Sequence, residues 1–76
     1  MNTQELIDSR RTFIHALCEE RGGWGDGTNV TLENIEDAAR NPLDYGIDPE
    51  DLDEAIKGDV RAIISLRAVW GLPIFV

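Results

Sequence analysis

Three stretches of the chain hold residues able to do chemistry. His15, Cys18 and Glu19 fall within little more than one helical turn, the arrangement of a metal pair or an activated thiol. Tetrahedral structural zinc takes four ligands, however, and the chain has a single histidine and a single cysteine. The trio therefore reads as the border of an apolar helical stripe, with Cys18 as a small hydrophobe. The acid-rich segment "DPEDLDEAIKGD", from Asp48 to Asp59, invites comparison with a calcium loop. An EF-hand needs glycine at the sixth place and a bidentate Glu at the twelfth; here those places hold Asp53 and Asp59. "GGWGDG" has four glycines in six residues, but it lacks the Lys-Ser/Thr of a phosphate loop and follows a helical pattern instead of a strand. Acid–base catalysis needs carboxylates converging in a pocket, and one histidine supports no Ser/His/Asp order. The expectation is a protein that is not an enzyme and that uses no metal and no cofactor.

What remains is surface chemistry. The formal net charge is -8. Residues 33–59 hold ten acids against Arg40 and Lys57, while the flanking segments balance, so the excess lies in the middle third. Such a surface disfavours direct nucleic-acid binding, which needs Lys and Arg at phosphates, and adhesion to anionic lipid. It favours a basic protein partner. The acidic contact is expected from Glu33, Glu36, Asp37, Glu50, Asp51, Asp53 and Glu54. Arg10 and Arg11 read as a solvent edge.

The elements that must carry these residues are all helical. Asn2 and Glu5 have capping-box spacing. Leu6, Ile7, Phe13, Ile14, Leu17 and Cys18 then recur at helical period up to Gly22-Gly23, predicting a helix over 3–21. Trp24 sits in the adjoining glycine loop. Thr31 reads as an N-cap, with Val30 and Ile35 as a hydrophobic staple. Leu32, Ile35 and Ala39 make a narrow apolar face over 32–40, closed by Asn41-Pro42, with Asn41 suited to a left-handed cap. Leu43, Tyr45 and Ile47 could pin the connector "LDYGI" to the core. Asp48 as N-cap, Pro49 at the first position and Gly58 at the end predict a helix over 49–57. Asp59 can cap a last helix over 60–70, apolar on most sides and so expected at the buried centre. The fold class is all-α: a compact four-helix single domain with an apolar, extended C-terminal tail.

That tail, in "VWGLPIFV", carries an energetic condition. Burying Leu72, Ile74, Phe75 and Val76 is worth about 1.5–3 kcal/mol each, and ordering the six residues 71–76 costs about 1.5 kcal/mol each. The two nearly cancel, so the tail is expected to be ordered only where a second copy or a target covers it. Trp24, Trp70, Leu72, Ile74 and Phe75 are therefore the expected apolar contact residues, and a homodimer is the expected state.

At 76 residues the chain sits near the size where one core supplies no more than about 3–5 kcal/mol. A lone cysteine permits no internal disulfide and, with no signal-peptide pattern, suggests a cytoplasmic setting. No apolar run approaches the about 20 residues that span a bilayer. No motif identifies a family. In size, acidity and lack of catalytic residues the chain resembles the small accessory proteins of phages and mobile elements, anti-CRISPR and other host-protein inhibitors among them. Its opening "NTQELIDSRRTFIHAL", heading a tiny domain with an apolar C-terminal tail, is also similar to small phage head–tail joining proteins. The first resemblance implies a non-enzymatic binding protein that modulates or inhibits a partner by occupying its surface. The second implies a structural subunit or connector of a virion-like assembly.

Overall fold

The computed structural model describes residues 2–74. They form four α-helices, α1 (Thr3–Arg21), α2 (Leu32–Arg40), α3 (Pro49–Ile56) and α4 (Val60–Val69), with a 3₁₀ turn over Pro42–Tyr45 between α2 and α3. The caps are local and mostly as expected. The Asn2 side chain accepts from the Glu5 backbone N–H at 2.8 Å. Thr31 and Asn34 exchange a reciprocal capping box at 3.1 and 2.8 Å. Asp48 and Asp59 accept from the first turns of α3 and α4. The last two helices end one residue earlier than predicted, at Ile56 and Val69. Asn41 is not left-handed (φ -130°); Pro42 keeps the residue before it out of the helical region, and that suffices to stop α2. The 3₁₀ turn was not expected, because Pro42 at its start could equally open a plain loop.

α1 is the central helix. It packs on α2 and on α3, while α4 rests mainly on α3. Ile7, Ile14, Leu17 and Cys18 of α1 share one core with Ile35, Ala38 and Ala39 of α2. Ile47 of the connector, Leu52 and Ala55 of α3, and Ala62 and Leu66 of α4 complete it. The expectation that the 60–70 helix forms the buried centre is corrected: only Ala62 and Leu66 of α4 are buried, and Val60 and Val69 are exposed. Helices as short as α2 and α3 cannot enclose a neighbour, so the longest helix supplies the shared face. The molecule is accordingly a slab of 32 × 30 × 17 Å, less than two full helix diameters thick. Leu32 and Leu43, expected to face inward, are exposed, Leu32 by 87 %. Leu32 opens its helix on the outer side, and Ile47 and Tyr45 hold the connector instead.

Arg10 corrects another expectation. Its side chain is only 11 % exposed and forms a two-pronged pair with Asp53 of α3 at 2.7 and 2.8 Å. Its third donor reaches the Ala39 carbonyl at 2.9 Å, one of the carbonyls that the end of α2 leaves without a helical partner. The bond to Asp53 raises the Arg10 pKa, against the opposing effect of burial. Its sequence position carried the signal: Arg10 lies three residues after Ile7 and four before Ile14, on the buried stripe itself.

The tail turns inward. The Gly71 N–H donates to Ala68 (3.1 Å) and the Leu72 N–H to Arg67 (2.8 Å), the two-bond helix ending that needs a left-handed residue, supplied by Gly71 at φ 72°. This turn carries Leu72 back into the core at 8 % exposure, close in sequence to Trp70 at 5 %. Gly46 and Ile47 repeat the pattern after the 3₁₀ turn. Leu72, expected as an apolar contact for another molecule, therefore lies in the core, and Trp70, expected in the same role, is buried except where its ring borders the cavity described below. An extended tail would lack a groove, but a reversed one needs only the gap at the end of its own helix. Ile74 remains 42 % exposed; Phe75 and Val76 lie outside the described residues.

Arg67 clamps this ending. It donates to the Pro73 carbonyl at 2.8 Å and, with both terminal nitrogens, to Glu20 of α1 at 2.6 Å each. The bond from Arg67 holds the Glu20 carboxyl below its ordinary value. A lowered folded-state pKa adds stability above the unfolded value and loses it as pH falls through the folded one. The melting temperature of wild type should thus exceed that of Glu20→Gln by a constant margin above about pH 5.5, with the margin closing below about pH 4. Thermal melts across this range check it, and a pH-independent margin would refute it.

Candidate functional site

The loop after α1 is built to expose a corner of the core. The Trp24 carbonyl accepts from Gly27 at 3.1 Å, and Asp26 accepts from the Thr28 N–H at 2.9 Å. The bond from Thr28 also lowers the Asp26 pKa. Asn34 of α2 anchors the far end by donating to the Asn29 carbonyl at 2.7 Å. Between this loop, the 3₁₀ turn and the end of α4 lies an open cavity of about 530 Å³. Trp24 stands at its centre, with ring centroids 5.0 Å from Tyr45 and 5.8 Å from Trp70, at tilts of 38° and 49°. These are ordinary distances for favourable aromatic pairs.

The Arg21 guanidinium lies over the Trp70 ring, 4.9 Å from its centroid. The Gly25 backbone runs against it, so close that an added methyl group would collide with the guanidinium. Asp26 and Asp44 also line the cavity. The Trp24 indole N–H is buried without an acceptor among the described residues, an arrangement that costs about 1–3 kcal/mol.

A second, shallower groove adjoins the first, sharing Asn34 and Tyr45, with Glu33, Glu36, Asp37 and Arg40 along it. The Tyr45 hydroxyl donates to Asp37 at 2.9 Å, and this bond raises the Tyr45 pKa. The two depressions form one surface, aromatic at one end and acidic at the other.

The acidic residues singled out from the sequence are not equivalent. Asp53 is committed to Arg10. Glu36 pairs with Arg40 at 3.4 Å and with Arg11 at 3.8 Å. Asp37 also accepts from Asn41 at 3.1 Å, Glu54 meets Lys57 at 3.6 Å, and Asp51 accepts from Ser65 at 3.3 Å. The Glu33 and Glu50 side chains make no hydrogen bond or ion pair among the described residues. The groove gathers the acids of α2 but none of those on α3. Of the apolar candidates, Trp24 and Trp70 come together as the wall of the cavity, whereas Leu72 lies in the core and Ile74 stands apart from the lining. The sequence reading missed Arg21, Asp44 and Tyr45 as members of a site. Their only signal was nearness to the loop glycines Gly22 and Gly46.

The Cys18 thiol is buried, and burial pushes its pKa up despite the nearby Arg21. It is therefore a neutral thiol, with little of the thiolate character that reactivity needs. His15 meets only Glu19, at 3.5 Å on an exposed face. Among the described residues no three His, Cys, Asp or Glu side chains converge to hold a metal. No described helix is long and apolar enough to cross a membrane. Compared with protein-family models, with curated proteins and with solved structures, the chain matches none.

Proposed function

We propose that this chain is a small, non-catalytic binding protein that modulates or inhibits a protein partner by covering a basic surface, in the manner of the small accessory proteins of phages and mobile elements. The observation that carries the reading is the joined depression, in which Glu33, Glu36, Asp37 and Asp44 stand beside Tyr45 and Trp24. Carboxylates steer a cationic partner at long range, and aromatic rings supply contact area at short range. The acids of α3 then act as part of the attracting field. The buried lone Cys18 suits a cytoplasmic setting.

The test is capture of the partner with the tagged protein, followed by a salt titration. The partner should elute as salt rises from about 50 to about 500 mM, over which the screening length falls below about 10 Å. It should also be lost with Glu33→Lys/Glu50→Lys, a variant at two positions whose side chains form no hydrogen bond or ion pair among the described residues. A partner held equally by the variant and at high salt overturns a charge-led contact.

A second reading, a homodimer or a subunit of a larger assembly joined through the tail, draws support from Ile74, which stays exposed beyond the buried Leu72. Val60 and Val69 add nothing to it as a shared patch, since nine helical positions place them half a turn apart.

A further inference from the structure

We propose that the aromatic cavity receives the guanidinium of an arginine from the basic partner, and that Arg21 occupies that place until it is displaced. This inference rests on the binding reading above and names the group that would be read. The site already holds a group of this kind. The Arg21 guanidinium sits 4.9 Å from the Trp70 ring centroid, close to the Gly25 backbone, on a residue that is otherwise exposed. The cavity therefore fits this planar cation, and fits it without a hydrogen-bonded carboxylate: Arg21 makes no side-chain hydrogen bond or ion pair among the described residues. A guanidinium held by a ring face on an exposed residue is a weak tenant. Exposed cation–π contacts are worth only about a twofold to fivefold preference.

An incoming arginine can do better elsewhere in the same cavity, on the Asp44 side that the Arg21 guanidinium does not reach. The Asp44 carboxylate lines the cavity and makes no side-chain hydrogen bond or ion pair among the described residues. A partner arginine stacked on the rings and paired with Asp44 would combine a face contact with a two-pronged carboxylate bond, the pairing that suits guanidinium geometry. Arg21, fixed at the end of α1, keeps the face contact alone. The charge balance excludes the opposite ligand. Asp26 and Asp44 outnumber Arg21 around the cavity, and Glu33, Glu36 and Asp37 outnumber Arg40 in the adjoining groove, so an anion would meet an excess of like charge. Lysine suits the site less, because a compact, strongly hydrated ammonium neither stacks nor forks.

Both tryptophans of the chain line this cavity, so intrinsic fluorescence reports on it directly. An acetylated, amidated hexa-arginine peptide is titrated into the intact protein, with hexalysine as the equal-charge control. Hexa-arginine should bind about threefold to tenfold more tightly than hexalysine and change the tryptophan emission more at saturation. Arg21→Gln, which removes the tenant, should tighten hexa-arginine binding more than Arg61→Gln, which removes the same charge from an exposed place outside the cavity. Asp44→Asn should abolish the preference for arginine over lysine while leaving the circular dichroism melt unchanged. If both peptides bind with equal affinity and the two arginine variants behave alike, the cavity does not select guanidinium, although the acidic surface still attracts cations. If neither peptide binds at low salt, this inference and the basic-partner reading fall together.

Discussion

Arg10→Ala should lower the stability of the protein by about 2–3 kcal/mol, a large share of what a core of this size supplies. Breaking a fully buried ion pair by removing one partner costs about 3–5 kcal/mol, and the low end is the ceiling for this half-buried pair, whose Asp53 keeps 29 % of its side-chain surface in water. Two groups are left unsatisfied at once, the Asp53 carboxylate and the Ala39 carbonyl. Urea denaturation followed by far-ultraviolet circular dichroism measures the effect. Arg11→Ala is the control: its contacts to Asp8 and Glu36 are exposed, so it should change stability by less than about 0.5 kcal/mol. Arg10→Lys should recover only part of the loss, because one ammonium cannot reproduce the fork to Asp53 and also reach Ala39. Equal midpoints for Arg10→Ala and Arg11→Ala would remove Arg10 from any structural role.

Trp70→Ala should be at least as damaging, at about 3–5 kcal/mol. Trp70 closes the end of α4, is 5 % exposed, and packs on Trp24. Its removal opens the core at the point where Leu72 turns inward, so the tail and the loop should loosen together. The expected result is a chain largely unfolded at 25 °C, or one whose melt begins without a folded baseline. Trp70→Phe should retain most of the fold, since an aromatic ring still fills the corner. The distinction matters for any binding assay. Read from the sequence, Trp70 is a surface contact, and loss of binding in Trp70→Ala would be taken as loss of that contact. In the structure the same loss reports unfolding, and Asp44→Asn is the variant that separates the two.

The helix boundaries were legible because their signals are local. Asn2, Thr31, Asp48 and Asp59 each bond within three residues of themselves, and Gly58 and Gly71 mark ends that favour a left-handed residue. Which face each helix buries was less legible, because that depends on neighbours far along the chain. Arg10 looked like solvent edge since its partner lies 43 residues away. α4 looked central because it is so apolar, yet Val60 and Val69 are exposed. The tail was misjudged for a different reason. A single balance for Leu72, Ile74, Phe75 and Val76 makes the tail ordered or free as a whole, whereas the turn at Gly71 sends Leu72 inward independently of the residues beyond it. The acidic surface was visible as composition, but its division into committed and uncommitted carboxylates needed the partners. The cavity itself was invisible, because Arg21, Tyr45 and Trp70 converge from three separate elements.

The arrangement of helices also sets the order in which the protein can assemble. α1 packs on α2, and α3 on α4, so most of the core is made by segments adjacent in sequence, the low-contact-order pattern that folds in microseconds to milliseconds. The two halves are then joined by pairs that reach across 43 and 47 residues, Arg10 to Asp53 and Arg67 to Glu20. Contacts that close such long loops are expected to form after the local helix pairs, past the folding barrier, and the two arms of a urea chevron for Arg10→Ala would show it. Their loss then falls on the lifetime of the native state, speeding its opening while leaving the folding rate nearly untouched. Arg10, and to a lesser degree Arg67 with its more exposed partner, would then act as latches on a structure already assembled, setting the residence time of the folded chain.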